Sequence, residues 1–450
     1  MSNQDTPEEQ PAAARQQVRM SDTEAVALAV DLHKFGRIAE ADGIYRRILE
    51  AIPDHVDALH FHGLLLFQQG QRAAGIQAVR RAVELQPDYV EAHNNLGNML
   101  KETGDDEGAL QAYRRVLELR PDHADTHNNL GVMLRKRGQL AQALQSYQEA
   151  TRLEPRHADA WHNLGNLYQT IHRWDEAMAA YRRAAAYRPT RDATYVELGR
   201  VCYRAGRIED AARIYREWLQ RDPANPIAQH LVAACSGESG PSRASDDYIR
   251  RTFDTFADNF DQVLTQLDYH VPGLIAQLLE QGDLGLERAV DILDAGCGTG
   301  LCGVSLRPYA RRLVGVDLSP LMLSRARERG VYDELFEAEL TGYLGCHPGQ
   351  FDLIVSGDTL VYFGDLGPVL SAARAALQPG GRCLFTVERE TAAESCSGFR
   401  IQPHGRYCHT ESYVRQALTA AGLELNWLRN CVLRQELGEP VAGMLVLAQC

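Results

Sequence analysis

Residues 291–300 of this 450-residue sequence read DILDAGCGTG. Gly298, Gly300 and Gly303 fit the G-x-G-x-x-G spacing, and Gly296, Gly298 and Gly300 fit a second one. Glycines at such a turn let the backbone approach a ligand, because no Cβ stands in the way. Asp294 precedes them, and Asp317 follows about 20 residues on, closing the run RLVGVD. A carboxylate there can accept both hydroxyls of a ribose. The loop alone is compatible with a dinucleotide, a phosphate or a different ligand, although the absence of G-K-[ST] removes the Walker phosphate loop. Farther along, Asp358, Glu388 and His409 are of the types that move protons.

Strands and helices must place these groups. VDILDAG, RLVGVDL, FDLIVSGD and GRCLFTVE read as buried strands, each followed by a helical run, which predicts a parallel sheet covered on both faces. Active groups then belong beyond the carboxyl ends of the strands. Asp358, Thr359 and Tyr362 follow the fourth strand and Glu388 the fifth. Tyr407 and His409 precede a helix that Thr410 caps. The closing runs LELNWLRNCVLRQE and PVAGMLVLAQC leave no room for a crossover helix and should pair antiparallel.

This constellation over 245–450 resembles the class I S-adenosylmethionine-dependent methyltransferases, whose α/β Rossmann-like sheet finishes on such a hairpin. The resemblance implies S-adenosylmethionine as cofactor. Gly296, Gly298 and Gly300 would lie against its methionyl part, and Asp294 would hold the loop or the ammonium group. Asp317 would take the ribose, Leu318 and Met322 would line the adenine, and Glu339 in FEAEL would sit near the adenine amine. FDLIVSGDTLVYF resembles the family's fourth-strand motif, and LQPGG the turn before its fifth strand. YIRRTFDTFADNFDQVL begins an amphipathic helix. Within it FDTFADNFD resembles the N-terminal lid of the biotin- and quinone-pathway methyltransferases. Asp358, His409 and Glu388 are the candidates for catalysis, should the acceptor have to lose a proton.

The first half is periodic. Pro53, Pro87, Pro121, Pro155, Pro189 and Pro223 recur every 34 residues. Leu96, Leu130, Leu164 and Leu198 share a slot. So do the glycines that follow them, then Ala109, Ala143, Ala177 and Ala211, and then Tyr113, Tyr147, Tyr181 and Tyr215. Each unit reads as two short helices, with small residues for close packing, tyrosine filling the gap, and proline ending the second helix. The pattern resembles the tetratricopeptide repeat, in six units from near Asp22, the first degenerate as a cap usually is. That family implies an α-helical solenoid whose concave groove carries Asn94, Asn95, Asn98, Asn128, Asn129, Asn163 and Asn166. Asn95, Asn129 and Asn163 form a ladder like that of the O-linked N-acetylglucosamine transferases, and an amide can grip an extended chain by its backbone. The partner expected there is a protein or peptide. The Lys/Arg set of chaperone-docking repeats is missing.

Composition narrows the rest. The net charge of −13 offers no overall basic field, so no nucleic-acid partner is expected. The ten cysteines have no C-x-x-C or zinc spacing, and the recurring histidines His93, His123, His127 and His157 read as packing residues, so no metal is expected. No apolar run is long enough for a bilayer and the N-terminus has no secretory pattern, which points to a cytoplasmic protein. The expected organisation is a disordered arm at 1–20, six repeats with a closing helix at 21–235, a linker at 236–245 and the methyltransferase domain at 246–450. The expected function is methylation of a protein or peptide recruited by the repeats. The alternatives are a small-molecule methyltransferase with repeats for assembly, or a non-catalytic scaffold.

Overall fold

The computed structural model describes residues 20–236, 240–284, 290–390, 398–436 and 438–450. Nearly all of the expected N-terminal arm lies outside them. The described residues form two compact units that divide between Leu167 and Tyr168. This division falls within the repeats and not at 236–245, so the last repeats belong to the same compact unit as the sheet.

Six helix pairs follow the 34-residue period. The first members are Asp22–Lys34, Val56–Gln68, Val90–Thr103, Ala124–Lys136, Ala158–Thr170 and Asp192–Arg204. The second members end at Ala51, Leu85, Leu119, Leu153, Tyr187 and Arg221, each two residues before a period proline. The glycine slot faces the tyrosine slot. A Cβ on Gly97 would lie 2.5 Å from Tyr113, and one on Gly131 2.6 Å from Tyr147. Both tyrosines are fully buried. Glycine here is a condition for seating the tyrosine ring, and the paired slots close each repeat on itself.

The sheet comprises β1 (Val290–Ala295), β2 (Ala310–Asp317), β3 (Glu334–Glu337), β4 (Phe351–Ser356), β5 (Leu377–Arg389), β6 (Phe399–Ile401), β7 (Tyr407–His409), β8 (Glu424–Glu436) and β9 (Glu439–Gln449). Strands β3-β2-β1-β4-β5 are parallel, β9 runs antiparallel to β5, and β8 pairs with β9 as the expected hairpin. Alternation puts both faces in apolar cores: Leu293, Val314, Ile354 and Phe385 on one, Ile292, Leu313, Leu353 and Leu384 on the other. Three features differ from expectation. LQPGG lies inside β5, with Gly380 at φ 79° and a register shift near Phe351. Strands β6 and β7 form an unforeseen small ribbon on the carboxyl end of β5. The helix expected from Tyr248 breaks into Asp246–Asp254, a 3-10 turn at Ala257–Asn259, and Phe260–Gln266.

The sixth repeat and the helix Pro226–Cys235 pack directly on this unit. His230 Nε2 donates to the Gly405 carbonyl at 2.8 Å, and its ring stacks on Tyr248 at 3.9 Å. Ala234 joins Ile401 and Tyr407 in one apolar cluster. The Arg251 guanidinium donates to Asp192 at 2.8 Å.

Candidate active site and groove

A cavity of about 350 Å³ opens at the carboxyl ends of β1, β2 and β4. The end beside the glycine loop is built by short-range constraints. Gly296 has φ 77°, and a Cβ there would lie 2.1 Å from Thr359 Oγ1, so only glycine fits between strand and loop. Asp317 ends β2 half-buried against the loop: Oδ2 accepts the Gly298 N–H and Oδ1 the Ser319 N–H, both at 2.9 Å. Burial raises the Asp317 pKa, and these backbone donors oppose the rise. Each oxygen keeps a lone pair. Leu318, Met322 and Glu339 also line the cavity. Glu339 doubles as a helix cap, accepting from Thr341 N at 3.0 Å and Gly342 N at 2.7 Å.

The broken segment above the loop has two faces. Phe253, Phe256 and Phe260 line the cavity. The aspartates interleaved with and following them are tied to the parts around the loop: Asp254 accepts from Ser319 Oγ at 2.5 Å, Asp258 from Arg325 at 2.5 Å, and Asp261 from Thr299 Oγ1 at 2.6 Å. These anchors account for the interrupted helix, because each turn is fixed to a different part of the glycine loop or the helix after β2.

The far end is charged. Arg434, with a side chain only 4% exposed, donates to Asp358 Oδ2 at 2.7 Å, to Glu436 Oε1 at 2.9 Å and to Glu388 Oε1. Arg406 donates to Glu388 at 2.6 Å and to Glu436 at 2.5 Å. Burial pushes the Glu388 carboxyl up, but the two guanidiniums outweigh it and hold its pKa at about 2. Asp358 lies in the left-handed region at φ 57°, an uncommon backbone for a non-glycine residue. Its Oδ1 is buried without a hydrogen-bond donor. Burial raises its pKa, against the pull of Arg434.

Residues 293–385 match the family model for a methyltransferase domain, and residues 61–124, 112–145, 131–171 and 172–235 match models of the tetratricopeptide repeat. The chain joins tetratricopeptide repeats to a class I methyltransferase domain. It is 30% identical over 177 residues to the biotin biosynthesis bifunctional protein BioHC of Saccharophagus degradans, covering 36% of this chain and 31% of that protein. It is also 30% identical over 165 residues to a ubiquinone biosynthesis O-methyltransferase of Xanthomonas euvesicatoria, covering 34% of this chain and 65% of that one. The chain thus spans less than two thirds of these relatives. Among solved structures, the pilF protein of Pseudomonas aeruginosa is 18% identical, with a TM-score of 0.42, over 47% of this chain and 96% of that one.

Within the methyltransferase domain the expected residues separate. Gly296, Gly298, Asp317, Leu318, Met322, Glu339, Asp358, Thr359 and Tyr362 meet at the cavity. Asp294, Gly300, Glu388 and His409 stand outside its lining. Asp294 is buried behind the loop and accepts from Tyr332 OH at 2.7 Å. Burial raises its pKa to about 7; Tyr332 opposes the rise and neighbouring Asp317 adds to it. Gly300, at φ 90°, turns the chain into the following helix against Tyr332. Glu388 holds the arginines from behind. His409 is fully buried on β7, with Nε2 3.1 Å from the Gly364 carbonyl, and burial lowers its pKa to about 4. This corrects its expected position at the site: β7 is a strand of the sheet extension, and its side chain faces the core. Tyr407 is likewise buried, its hydroxyl donating to Pro241 O at 2.6 Å. Arg406, Arg434 and Glu436 were not anticipated. Arg434 and Glu436, which follow the apolar pair Val432–Leu433 at the end of β8, were the available signal for two of them; Arg406 has none.

In the first unit the asparagines form an internal network. The Asn95 amide donates to His60 Nε2 at 2.9 Å, Asn129 to Asn98 Oδ1 at 3.1 Å, and Asn163 to Asn128 Oδ1 at 2.9 Å. Asn94 Oδ1 accepts from Thr126, and Asn98 Oδ1 also accepts from Tyr113 OH at 2.8 Å. The ladder amides therefore tie neighbouring repeats together. Asp125, Glu154 and His157 converge nearby. There His157 Nδ1 accepts the Ala160 N–H at 3.3 Å, and its Nε2 lies 3.0 Å from Asp125 without forming a hydrogen bond. Among the described residues, no helix is long and apolar enough to cross a membrane.

Proposed function

We propose that the methyltransferase domain transfers the methyl group of S-adenosylmethionine to an acceptor seated in the cavity, and that the repeats recruit this acceptor as part of a protein or peptide. The observation that carries the first part is the half-buried Asp317 carboxylate lining the cavity, held by the N–H groups of Gly298 and Ser319 with a lone pair left on each oxygen. Those lone pairs suit two ribose hydroxyls. Gly296 and Gly298 leave room for the methionyl part, Leu318 and Met322 give the adenine an apolar wall, and Glu339 retains acceptor capacity for its amine. When bound, the sulfonium supplies an already activated methyl group, so the chain's main task is alignment. Where the acceptor must lose a proton, the open Oδ1 of Asp358 is the candidate to accept it. Glu388 is a positioning residue acting through Arg406 and Arg434. The recruiting role rests on the repeat groove, where the carbonyl oxygens of Asn95, Asn129 and Asn163 remain as acceptors for a partner's backbone.

A small-molecule acceptor is the second reading, supported by the aromatic wall of Phe253, Phe256, Phe260 and Tyr362 around a small cavity. Two measurements test these readings. Calorimetry should show binding of S-adenosylmethionine and not of NAD. Asp317→Ala should weaken it by ~2–3 kcal/mol, the scale of hydrogen bonds to a charged group. NAD binding without S-adenosylmethionine binding overturns the methyltransferase assignment. Radiolabelled methyl transfer into a lysate, split into macromolecular and small-molecule fractions, then decides between the acceptors.

A further inference from the structure

The cavity has a wall that the methyltransferase sheet does not supply. Arg200 and Arg204 line it from the helix Asp192–Arg204 of the sixth repeat. Four residues apart, they share one face of that helix. Arg200 occupies the slot that Asn98, Val132 and Asn166 fill in earlier repeats, and Glu197 the slot of Asn95, Asn129 and Asn163. In this repeat alone of these four, the ladder slot and its neighbour are charged.

These arginines differ from Arg406 and Arg434, whose guanidiniums are taken up by hydrogen-bonded carboxylates. Among the described residues, neither Arg200 nor Arg204 donates a hydrogen bond. Arg200 stands 3.3 Å from Glu197 with its side chain 44% exposed. Arg204 stands 3.6 Å from Glu436 Oε2 with its side chain 27% exposed. Glu436 Oε1 already accepts from both Arg406 and Arg434, so its charge is largely compensated before Arg204 approaches. Two planar forks with unused N–H groups, beside an apolar wall that weakens competition from water, make an anion subsite.

We infer that Arg200 and Arg204 bind an anionic group, a carboxylate or a phosphate, on the methyl acceptor. The sixth repeat is then part of the acceptor site. The inference rests on the cavity being the methyltransferase site, and its test separates the two. Full-length protein saturated with S-adenosylhomocysteine is titrated with benzoate, phenyl phosphate and neutral benzamide, followed by ligand-observed NMR. The anions should bind about 10-fold tighter than benzamide. The preference should vanish in Arg200→Gln/Arg204→Gln and survive in part in Arg204→Lys. The melting temperature and S-adenosylhomocysteine affinity of the variants check that they fold. The stronger of benzoate and phenyl phosphate names the anion. Equal binding of benzamide, no binding of either anion, or an anion preference that outlives the double variant overturns the subsite. A preference seen only without S-adenosylhomocysteine also overturns it, assigning these arginines to the cofactor's own carboxylate. If S-adenosylhomocysteine itself fails to bind, the methyltransferase reading falls, and an anion preference in the free protein leaves the subsite standing on its own.

Discussion

The asparagine network of the repeats and the arginine cluster of the cavity are both polar, both partly buried, and held by opposite logics. In the repeats each bond joins one unit to the next across 31 or 35 residues, is neutral, and is followed by another like it. In the cavity one guanidinium grips carboxylates 76, 46 and 2 residues away, and a second guanidinium shares two of them. A neutral bond lost from a ladder deprives at most one neutral acceptor of its donor, and Asn98 Oδ1 keeps a second one. A charge lost from a buried cluster leaves the opposite charges without compensation, which costs far more than the net worth of the pair.

The sharpest test is therefore Arg434→Met, which conserves volume and removes the charge. Asp358 loses a donor with one oxygen already open, and Glu388 and Glu436 are left to Arg406. We expect a loss of ~3–5 kcal/mol in unfolding stability, the scale for breaking a buried pair. Glu388→Gln in the same chain should restore part of it, because the uncompensated charge is what costs. Denaturant unfolding of the single and double variants measures this. If Arg434→Met costs no more than an asparagine variant in the repeats, the contrast between the two regions is void.

A buried carboxyl that lacks a cation gives a third case. Asp294 has a neutral donor in Tyr332 and a like charge in Asp317, and its pKa sits at about 7 against a reference of 3.8. Between those values the folded chain holds a proton that the unfolded chain has released. This group's contribution to stability is thus fully present below about pH 4 and falls as pH rises through 7, by ~1.4 kcal/mol per unit. Asp294→Asn keeps an acceptor for Tyr332 and removes the titration. Without cofactor its melting temperature should gain on the parent's at pH 8 and not at pH 4. An equal difference at both pH values means that Asp294 is ionised throughout.

These contrasts explain what was legible in the sequence. The repeats were read residue by residue, because Gly97 with Tyr113 and Gly131 with Tyr147 are one contact copied at a fixed interval. Gly296, Asp317 and Met322 meet at one end of the cavity, and each belongs to a short segment at or just after a strand end that local pattern marks. The charged end carries no such mark. Arg200, Asp358, Arg406 and Arg434 converge only when a repeat helix, a strand end, a small ribbon and the last hairpin fold together, and no local spacing records that. His409 was misplaced for the same reason: the strand β7 of three residues that buries it carries too little pattern to announce itself. The fold class followed from alternation and periodicity, which accumulate over many residues, whereas a charge cluster depends on single ones.

The smallest expected effect tests the ladder. Asn129→Ala removes a donor from Asn98 Oδ1, which still accepts from Tyr113 OH. Nothing is left wholly unsatisfied, so the cost should fall at the low end of ~0.5–1.5 kcal/mol. Asn95, Asn129 and Asn163 donate to His60, Asn98 and Asn128 and share no partner, so their costs should roughly add in the triple alanine variant. That variant should remain folded, and S-adenosylhomocysteine affinity should stay at the parent's value. Methylation of a macromolecular acceptor is a separate readout: it should fall ~10-fold or more if the amide oxygens hold the acceptor's backbone, since three such contacts are lost together. The triple variant thus has two answers. A modest loss of stability with full methylation makes the ladder a brace between repeats and favours the small-molecule acceptor. A modest loss of stability with methylation largely gone makes the same asparagines brace and grip at once, the amide nitrogens turned to the neighbouring repeat and the oxygens to the partner.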